Sequence, residues 1–217
     1  MTIRTLVLAA LTLILQTANS QVIEFFDPAF EEAVLNHDSI IDSNHDGLIQ
    51  NSEAIGVKKL NVMGKGITSI KDVYHFPNVT EFIATNNSIQ EVSLSGLKKM
   101  EVFYCARNEI SKLEVINLPS LRKLAIGLNQ LTEVTLTDLP NLESFNCMHN
   151  KLERLELGEF KKLKYLSADN NSLKELDVSK NLELIQIIVD NNELKELDIS
   201  KNLNLTVMKN NLDYNQP

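Results

Sequence analysis

Residues 163–183 read LKYLSADNNSLKELDVSKNLE, and residues 184–204 read LIQIIVDNNELKELDISKNLN. The second segment repeats the residue types of the first at most positions, and an asparagine stands ninth in both. The same asparagine recurs upstream at a constant interval of 21 residues. The six members of the series are Asn87, Asn108, Asn129, Asn150, Asn171 and Asn192. A fixed period of this length indicates a repeat architecture.

Apolar residues keep constant distances from each asparagine, standing eight, five and three positions before it and two, five and seven positions after it. Around Asn150 they are Leu142, Phe145, Cys147, Leu152, Leu155 and Leu157. The alternation before the asparagine predicts a short strand with one face turned inward. Because one coil cannot bury its apolar row alone, we expect the coils to stack and their strands to pair into a parallel sheet.

This pattern resembles the leucine-rich repeat, L-x-x-L-x-L-x-x-N-x-L, and most of all the short repeats of secreted bacterial internalin-like proteins. The resemblance extends from about Val57 to the C-terminus. It implies a β-rich solenoid, a right-handed leucine-rich-repeat superhelix whose parallel sheet lines the concave side. The second apolar pair of each repeat predicts short extended or 3₁₀ segments on the convex side. We expect about seven coils in residues 57–217, with the first and the last irregular.

Two residue types, asparagine and cysteine, test the predicted alignment of successive coils. The recurring asparagine stands where the chain leaves the strand, so its amide is expected to bond backbone groups of adjacent coils and to have a structural, non-catalytic role. Cys105 and Cys147 occupy the same inward position two coils apart, which places them about 10 Å from each other. A disulfide needs Cα atoms within about 7 Å, so the sequence predicts two buried free thiols.

The first twenty residues have the pattern of a signal peptide. Arg4 precedes the apolar run LVLAALTLIL at residues 6–15, and Ala18 and Ser20 are the small residues that a signal peptidase requires. An uncleaved membrane anchor is the alternative, but the run is shorter than the ~20 residues that span a bilayer. We therefore expect a soluble mature protein with no membrane span, located in the periplasm, at the cell surface or outside the cell.

Residues 21–56 lack the period and are expected to form a helical cap over the first coil, because a solenoid needs its ends covered. The pair Asp27-Pro28 is typical of a helix start. An apolar stripe follows, expected to pack on the first coil. Its members are Phe26, Phe30, Ala33 and Val34.

The cap also contains DSNHDGLIQNSE at residues 42–53, which resembles an EF-hand calcium loop over all twelve positions. The resemblance implies a bend at Gly47 and one calcium ion held by six residues. These are Asp42, Asn44, Asp46, Leu48 through its carbonyl, Gln50 through water and Glu53 through both carboxylate oxygens. The alternative is a turn without metal. We interpret the loop as a structural clip bracing the cap rather than a sensor.

A partner is expected on the concave face, the usual recognition surface of this family. The central coils concentrate residue types that protein interfaces favour. These are Tyr104, Arg107, Arg122, Lys123, Leu128, Met148, His149 and Tyr165. The alternative is an ordinary mixed surface. On the convex side, Glu156, Asp177 and Asp198 form a column that we interpret as a solvated acidic strip.

Charge and motifs limit the function classes. The 21 Lys and Arg against 29 Asp and Glu give a net charge of −8, which argues against nucleic-acid binding because phosphate contacts need clustered cations. No arrangement of nucleophile, base and acid typical of an enzyme is present. The sequence therefore predicts a non-enzymatic, calcium-braced module that binds a protein or polysaccharide. A self-associating structural component of the cell surface is the alternative.

Overall fold

The computed structural model describes residues 21–209 of the chain; the predicted signal peptide and residues 210–217, the predicted end of the last coil, lie outside this range. Its main element is an eight-stranded parallel sheet. In their order across the sheet, the strands are β1 (Lys59–Asn61), β2 (Glu81–Ile83), β4 (Val102–Tyr104), β6 (Lys123–Ala125), β8 (Ser144–Asn146), β9 (Tyr165–Ser167), β10 (Gln186–Ile188) and β11 (Val207–Lys209).

The register of this sheet follows from the repeat. Phe82 pairs with Phe103, Phe103 with Leu124, and Leu124 with Phe145, and all four side chains are buried. Like positions of successive coils therefore stack in columns, which lets each coil bury the apolar row of its neighbour. The predicted β-rich leucine-rich-repeat solenoid with a parallel concave sheet is confirmed.

A second parallel sheet forms on the convex side of the early coils. It contains β3 (Glu91–Ser95), β5 (Lys112–Ile116) and β7 (Thr135–Thr137), in that order. The hydroxyl of Tyr74 covers its open edge, because it donates to the Ser93 carbonyl (3.3 Å) and accepts from the Ser95 N–H (3.0 Å). One side chain thus satisfies two backbone groups of an edge strand that would otherwise be open to pairing.

The cap contains two short helices, α1 (Pro28–Leu35) and α2 (Asn51–Ala54), and a 3₁₀ helix follows the first coil at Lys71–His75. Asp27 is the N-cap of α1, and its carboxylate accepts from the N–H groups of Ala29 and Phe30. Capping of this kind satisfies donors that the first helical turn leaves unpaired. The predicted helix start at Asp27-Pro28 is confirmed.

The predicted apolar stripe of α1 is wrong at its first member. Phe26 is 65% exposed, and its ring lies 4.7 Å from Lys71 Nζ. Asp27 has an extended backbone, with φ −108° and ψ 113°, so the helical period does not extend back to Phe26. Phe25 is half-buried instead, with its ring centroid 6.2 Å from that of Phe30.

Aromatic rings connect the cap to the solenoid. The Phe30 centroid lies 6.2 Å from that of Phe76 and 6.3 Å from that of Phe82, and Phe82 stacks on Phe103 at 5.6 Å. All four side chains are fully buried. The core of the cap is therefore continuous with the core of the repeats, and burying such rings contributes on the order of 2–3 kcal/mol each.

Two further sequence expectations concern buried thiols and membrane spans. Cys105 and Cys147 are buried and free, and they directly follow β4 and β8, which β6 separates in the sheet. Within residues 21–209, no helix combines the length and the apolar character that crossing a bilayer requires.

Candidate binding surface and cap loop

The recurring asparagines lie in one column, and each bonds at least three backbone groups. Asn129 Nδ2 donates to the carbonyls of Cys105 (3.1 Å) and Ile126 (2.9 Å), and its Oδ1 accepts from the Ile110 N–H (3.0 Å). The equivalent bonds are made by Asn87, Asn108, Asn150, Asn171 and Asn192. Each amide thus joins two coils and has a structural role.

The residue before each of these asparagines has a left-handed backbone. This left-handed column consists of Asn86, Arg107, Leu128, His149, Asn170 and Asn191, with φ between 51° and 60°. The first coil has Gly64 in the corresponding place, with φ 69°. Glycine and asparagine tolerate this conformation, whereas other residues bring Cβ too close to the following carbonyl oxygen. Three central coils therefore depart from the favourable residue types.

The structure divides the predicted partner residues between the two ends of the strands. Because the strands are parallel, all strand starts lie along one edge of the sheet and all strand ends along the other. The upstream group stands at the starts of β6 and β9 and contains Arg122, Lys123 and Tyr165. The downstream group stands at the end of β4 and in the turns that follow the strands, and contains Tyr104, Arg107, Leu128, Met148 and His149.

The upstream group is partly occupied by ion pairs. Arg122 Nε and Nη2 donate to the two carboxylate oxygens of Glu143, at 2.9 and 3.2 Å. Lys164 Nζ lies 3.6 Å from Glu143 and 3.9 Å from Glu183. The hydrogen bond from Arg122 holds the pKa of Glu143 below its usual value. Arg122 therefore already has a carboxylate partner within the chain, which reduces its availability to an external one.

Small residues form the middle of the concave face, a feature that the sequence interpretation missed. In register, Ala125 lies between Tyr104 and Asn146. A Cβ at Gly127 would lie 3.0 Å from both Asn146 Oδ1 and Met148 Cγ. Small residues at alternate positions of one coil were the available signal. The lack of a side chain at Gly127 lets Asn146 and Met148 of the next coil pack directly against its backbone.

In the twelve-residue loop of the cap, the polar side chains bond to one another and to the loop backbone. Asp42 accepts from the Gly47 N–H (2.9 Å), and Asn44 Nδ2 donates to Asp46 Oδ2 (3.0 Å) and Gln50 Oε1 (3.1 Å). Gly47 has φ 79°, as the sharp bend requires. The loop thus brings together four side chains with oxygen atoms. Among the described residues, no cluster of three or more His, Cys, Asp or Glu is placed to hold a metal ion.

Glu53, at the last loop position, faces backbone donors. Its Oε1 accepts from the Ser43 N–H (2.7 Å) and its Oε2 from the Gln50 N–H (3.0 Å). Desolvation tends to raise the pKa of Glu53, but the hydrogen bonds from Gln50, Ser43 and Asn44 outweigh it and lower the pKa. The Leu48 side chain is exposed, whereas the Ile49 side chain is buried and its carbonyl accepts from the Ile23 N–H at 2.8 Å.

The convex acidic column is exposed to solvent. Glu156, Asp177 and Asp198 all lie at the surface, and Arg154 Nη2 is 3.7 Å from Glu156. Asp177 and Asp198 accept from the N–H groups of the serines two residues later. The acidic column lies in a shallow groove, which is also lined by Lys174, Lys180 and Lys195. Cations are therefore interspersed among the acids.

This architecture has the leucine-rich-repeat fold of the internalins. The chain is similar to an internalin, InlF, from Listeria monocytogenes, with 21% identity, a TM-score of 0.74 and coverage of 86% of this chain and 56% of that one. For internalin C2 from the same organism the identity is 21%, the TM-score 0.59 and the coverage 86% and 94%. The leucine-rich effector protein YopM from Yersinia pestis is 28% identical, with a TM-score of 0.57 and coverage of 62% and 38%.

These similarities concern structure rather than overall sequence. The chain spans just over half the length of InlF. No protein-family model matches the chain, and no curated protein matches it.

Proposed function

We propose that this protein is a non-enzymatic binding module outside the cytoplasm that recognises a protein partner through its concave sheet. One observation carries the proposal: the central coils present Tyr104, Tyr165 and Met148 on a sheet whose backbone is held by the asparagine column. They also present Arg107 and Lys123, which form no ion pair within residues 21–209. Tyr, Met and Arg are enriched at protein interfaces. A surface that is rigid before binding loses little conformational entropy when it binds.

The export of the chain is part of the same proposal. It is supported by the signal-peptide pattern of residues 1–20 and by the similarity of the fold to that of the internalins. The similarity alone concerns the fold, so the partner of this protein has to be found by experiment.

The cap is proposed to hold one structural calcium ion. The residue types and spacing at residues 42–53 supply oxygen donors only, which suits a hard cation that takes six to eight oxygens. The side chains of Asn44, Asp46 and Gln50 already bond to one another within the loop, and the Asp42 carboxylate accepts from the N–H groups of Asp46 and Gly47. When bound, the ion would neutralise the loop carboxylates and clip the loop in place beside α2.

Capture experiments followed by titration test the concave binding surface. The mature protein is used to capture partners from extracts of its native surroundings, with and without a calcium chelator, and the affinity of each purified partner is then measured by calorimetry. We expect the double variant Tyr104→Ala/Tyr165→Ala to weaken binding at least 10-fold. Lys112→Ala, on the convex strand β5, is the control and should bind as the wild type does.

Unchanged affinity in the concave variant would contradict this binding surface. Capture of a glycan in place of a protein would change the partner class. Concentration-dependent association in sedimentation, with no captured partner, would favour the self-associating alternative.

A calcium titration tests the cap. We expect millimolar calcium to raise the melting temperature of the wild type, since a ligand that binds only the folded state stabilises it. The variant Asp42→Ala should show no such rise. Equal shifts in both proteins would contradict a calcium site in this loop.

A further inference from the structure

The residue types of the left-handed column change in the central coils, and the proposed function does not account for this change. In four of its seven positions, counting Gly64, the residue is glycine or asparagine, but the three consecutive central coils have Arg107, Leu128 and His149. We propose that these three residues form the specificity-determining strip of the concave face, and that the strip binds a protein segment with an acidic side chain beside a bulky apolar one. This inference rests on the proposed function.

Backbone strain is the first argument. Arg107, Leu128 and His149 have φ of 54°, 57° and 51°, a region in which a residue with Cβ clashes with its own following carbonyl. Asparagine is accepted at the same position in the coils on either side, so the repeat itself does not require these three residue types. Strained residues of this kind cluster at ligand-binding sites, because binding supplies the reason to retain them.

The chemistry of the strip defines the partner segment. Within residues 21–209, no carboxylate pairs with the guanidinium of Arg107, which is exposed in a protein of net charge −8. Arg122 differs in this respect, because its guanidinium donates to the carboxylate of Glu143. A free guanidinium favours a planar carboxylate, which it can bind with two parallel hydrogen bonds. An acidic side chain of the partner is therefore the complementary group.

Apolar contacts complete the strip. Leu128 is half-buried, and Met148 lies on the adjacent coil, packed against the backbone of Gly127. Neighbouring coils place equivalent residues about 4.8 Å apart, so a partner reaching both Arg107 and Leu128 needs its acidic and apolar groups one such step apart. On the far side, Asn170 bonds Asp169, and Asn191 bonds Asn170. This polar network limits the strip to the central coils.

Selection from a phage-displayed library of random peptides tests the inference. The mature wild-type protein is the target, and the triple variant Arg107→Asn/Leu128→Asn/His149→Asn is used for counter-selection. We expect the wild type to enrich peptides with Asp or Glu close to an aromatic or aliphatic residue, and the triple variant to bind these peptides at least 10-fold more weakly. Relief of left-handed strain should also raise the melting temperature of the triple variant by roughly 3–6 °C.

A matched control separates strain from recognition. Asn117 has φ 55° on the convex side, so Asn117→Leu introduces the same strain away from the strip. It should lower the melting temperature by a few degrees and leave peptide binding unchanged.

Several outcomes overturn the inference. The first are the absence of any peptide enriched on the wild type over the triple variant, enrichment without an acidic preference, and a triple variant that melts no higher than the wild type. Peptides that lose affinity with Lys123→Ala or Tyr165→Ala but not with the triple variant would also reject the strip, while the proposed concave binding surface would stand. Peptides insensitive to all these variants would reject both.

Discussion

The Asp27 N–H donates a hydrogen bond to the Asp72 carboxylate across the junction between the cap and the first coil, and the Asp27 carboxylate in turn accepts from the backbone of that coil. Asp72 accepts from the N–H groups of Phe26 (2.7 Å) and Asp27 (2.9 Å), and Asp27 Oδ2 accepts from the N–H groups of Thr68 (2.7 Å) and Ser69 (2.9 Å). Both carboxylates are buried. Each is therefore compensated by donors from the other side of the junction, which fixes the position of α1 on the solenoid.

Removing the Asp72 carboxylate should loosen this junction. In Asp72→Ala, the N–H groups of Phe26 and Asp27 lose their acceptor, and we expect the free energy of unfolding to fall by about 2–4 kcal/mol. Urea denaturation measures the change. Asp38→Ala, at an exposed position of the cap, should stay within about 0.5 kcal/mol of the wild type, and a similarly small loss for Asp72→Ala would contradict the role of the junction.

Acid should weaken the same junction. Burial tends to raise the pKa of Asp27, but the hydrogen bonds from Thr68, Ser69 and Phe30 outweigh it, so the pKa in the folded protein lies below its ordinary value. The stabilisation is therefore fully present above the pKa of the unfolded chain, about 4, and is lost as the pH falls through the lower folded pKa.

The variant Asp27→Asn isolates this charge. We expect the difference in free energy of unfolding between wild type and Asp27→Asn to be constant from pH 7 to pH 5 and to shrink below about pH 4. Urea denaturation across this pH range measures the difference. A difference that grows on acidification would show that the sign of the shift is wrong.

The column of recurring asparagines forms a hydrogen-bonded ladder between the coils, and each of its members should contribute substantially to stability. Asn129→Ala leaves the Ile110 N–H without its acceptor and removes the donor to the Cys105 and Ile126 carbonyls, so we expect a loss of about 2–4 kcal/mol. Thermal or urea unfolding checks this value. Gln130→Ala, the exposed neighbour, should change stability by less than about 0.5 kcal/mol, and equal effects of the two substitutions would contradict a ladder.

Two buried asparagines outside this column, Asn181 and Asn202, are only partly hydrogen-bonded within the described residues. The position ten residues after each ladder asparagine is apolar in four coils but Asn181 and Asn202 in the last two. Asn181 Nδ2 donates to the Leu157 and Phe160 carbonyls, yet its Oδ1, like that of Asn202, has no hydrogen-bond partner within the described residues. An unpaired buried oxygen of this kind costs about 1–3 kcal/mol.

Asn181→Leu is therefore expected to stabilise the protein by about 1 kcal/mol. The Leu157 and Phe160 carbonyls keep backbone donors, the N–H groups of Phe160 and Leu163, and leucine is what three earlier coils have at this position. Urea denaturation measures the change. If the dependence of the unfolding free energy on urea concentration is unchanged, a higher midpoint for the variant shows that it is more stable and a lower midpoint that it is less stable. A loss above 1 kcal/mol would mean that the two amide bonds outweigh the unpaired oxygen.

The two thiols should be inert in the folded protein. Burial raises the pKa of both Cys105 and Cys147 far above the usual range, and the thiolate is the reactive form. We expect negligible labelling of the native protein by a maleimide at pH 7.5 and labelling of both cysteines after denaturation without reductant. Detection of no free thiol in the denatured protein would contradict the register that places the two residues two coils apart.

Much of the fold was predictable because one pattern is repeated. The positions of Phe82, Phe103, Leu124 and Phe145 in the sheet follow from their distance to the recurring asparagine, and the helix start at Asp27-Pro28 follows from local capping chemistry. The partner residues were predicted as one group, which the structure divides between two edges of the sheet. Sequence position alone did not show that Arg122 is paired with Glu143.

By itself, the sequence determined the period, the inward columns and the asparagine ladder, because each depends on choices made within a single coil and repeated in the next. Only the tertiary structure decided how the cap is held, since Asp27 and Asp72 lie 45 residues apart and no local rule pairs them. It also decided that Arg107, Leu128 and His149 adopt a left-handed backbone, which their residue types disfavour. The stacking of neighbouring coils fixes the backbone at that point, and this constraint outweighs the preference of the individual side chain.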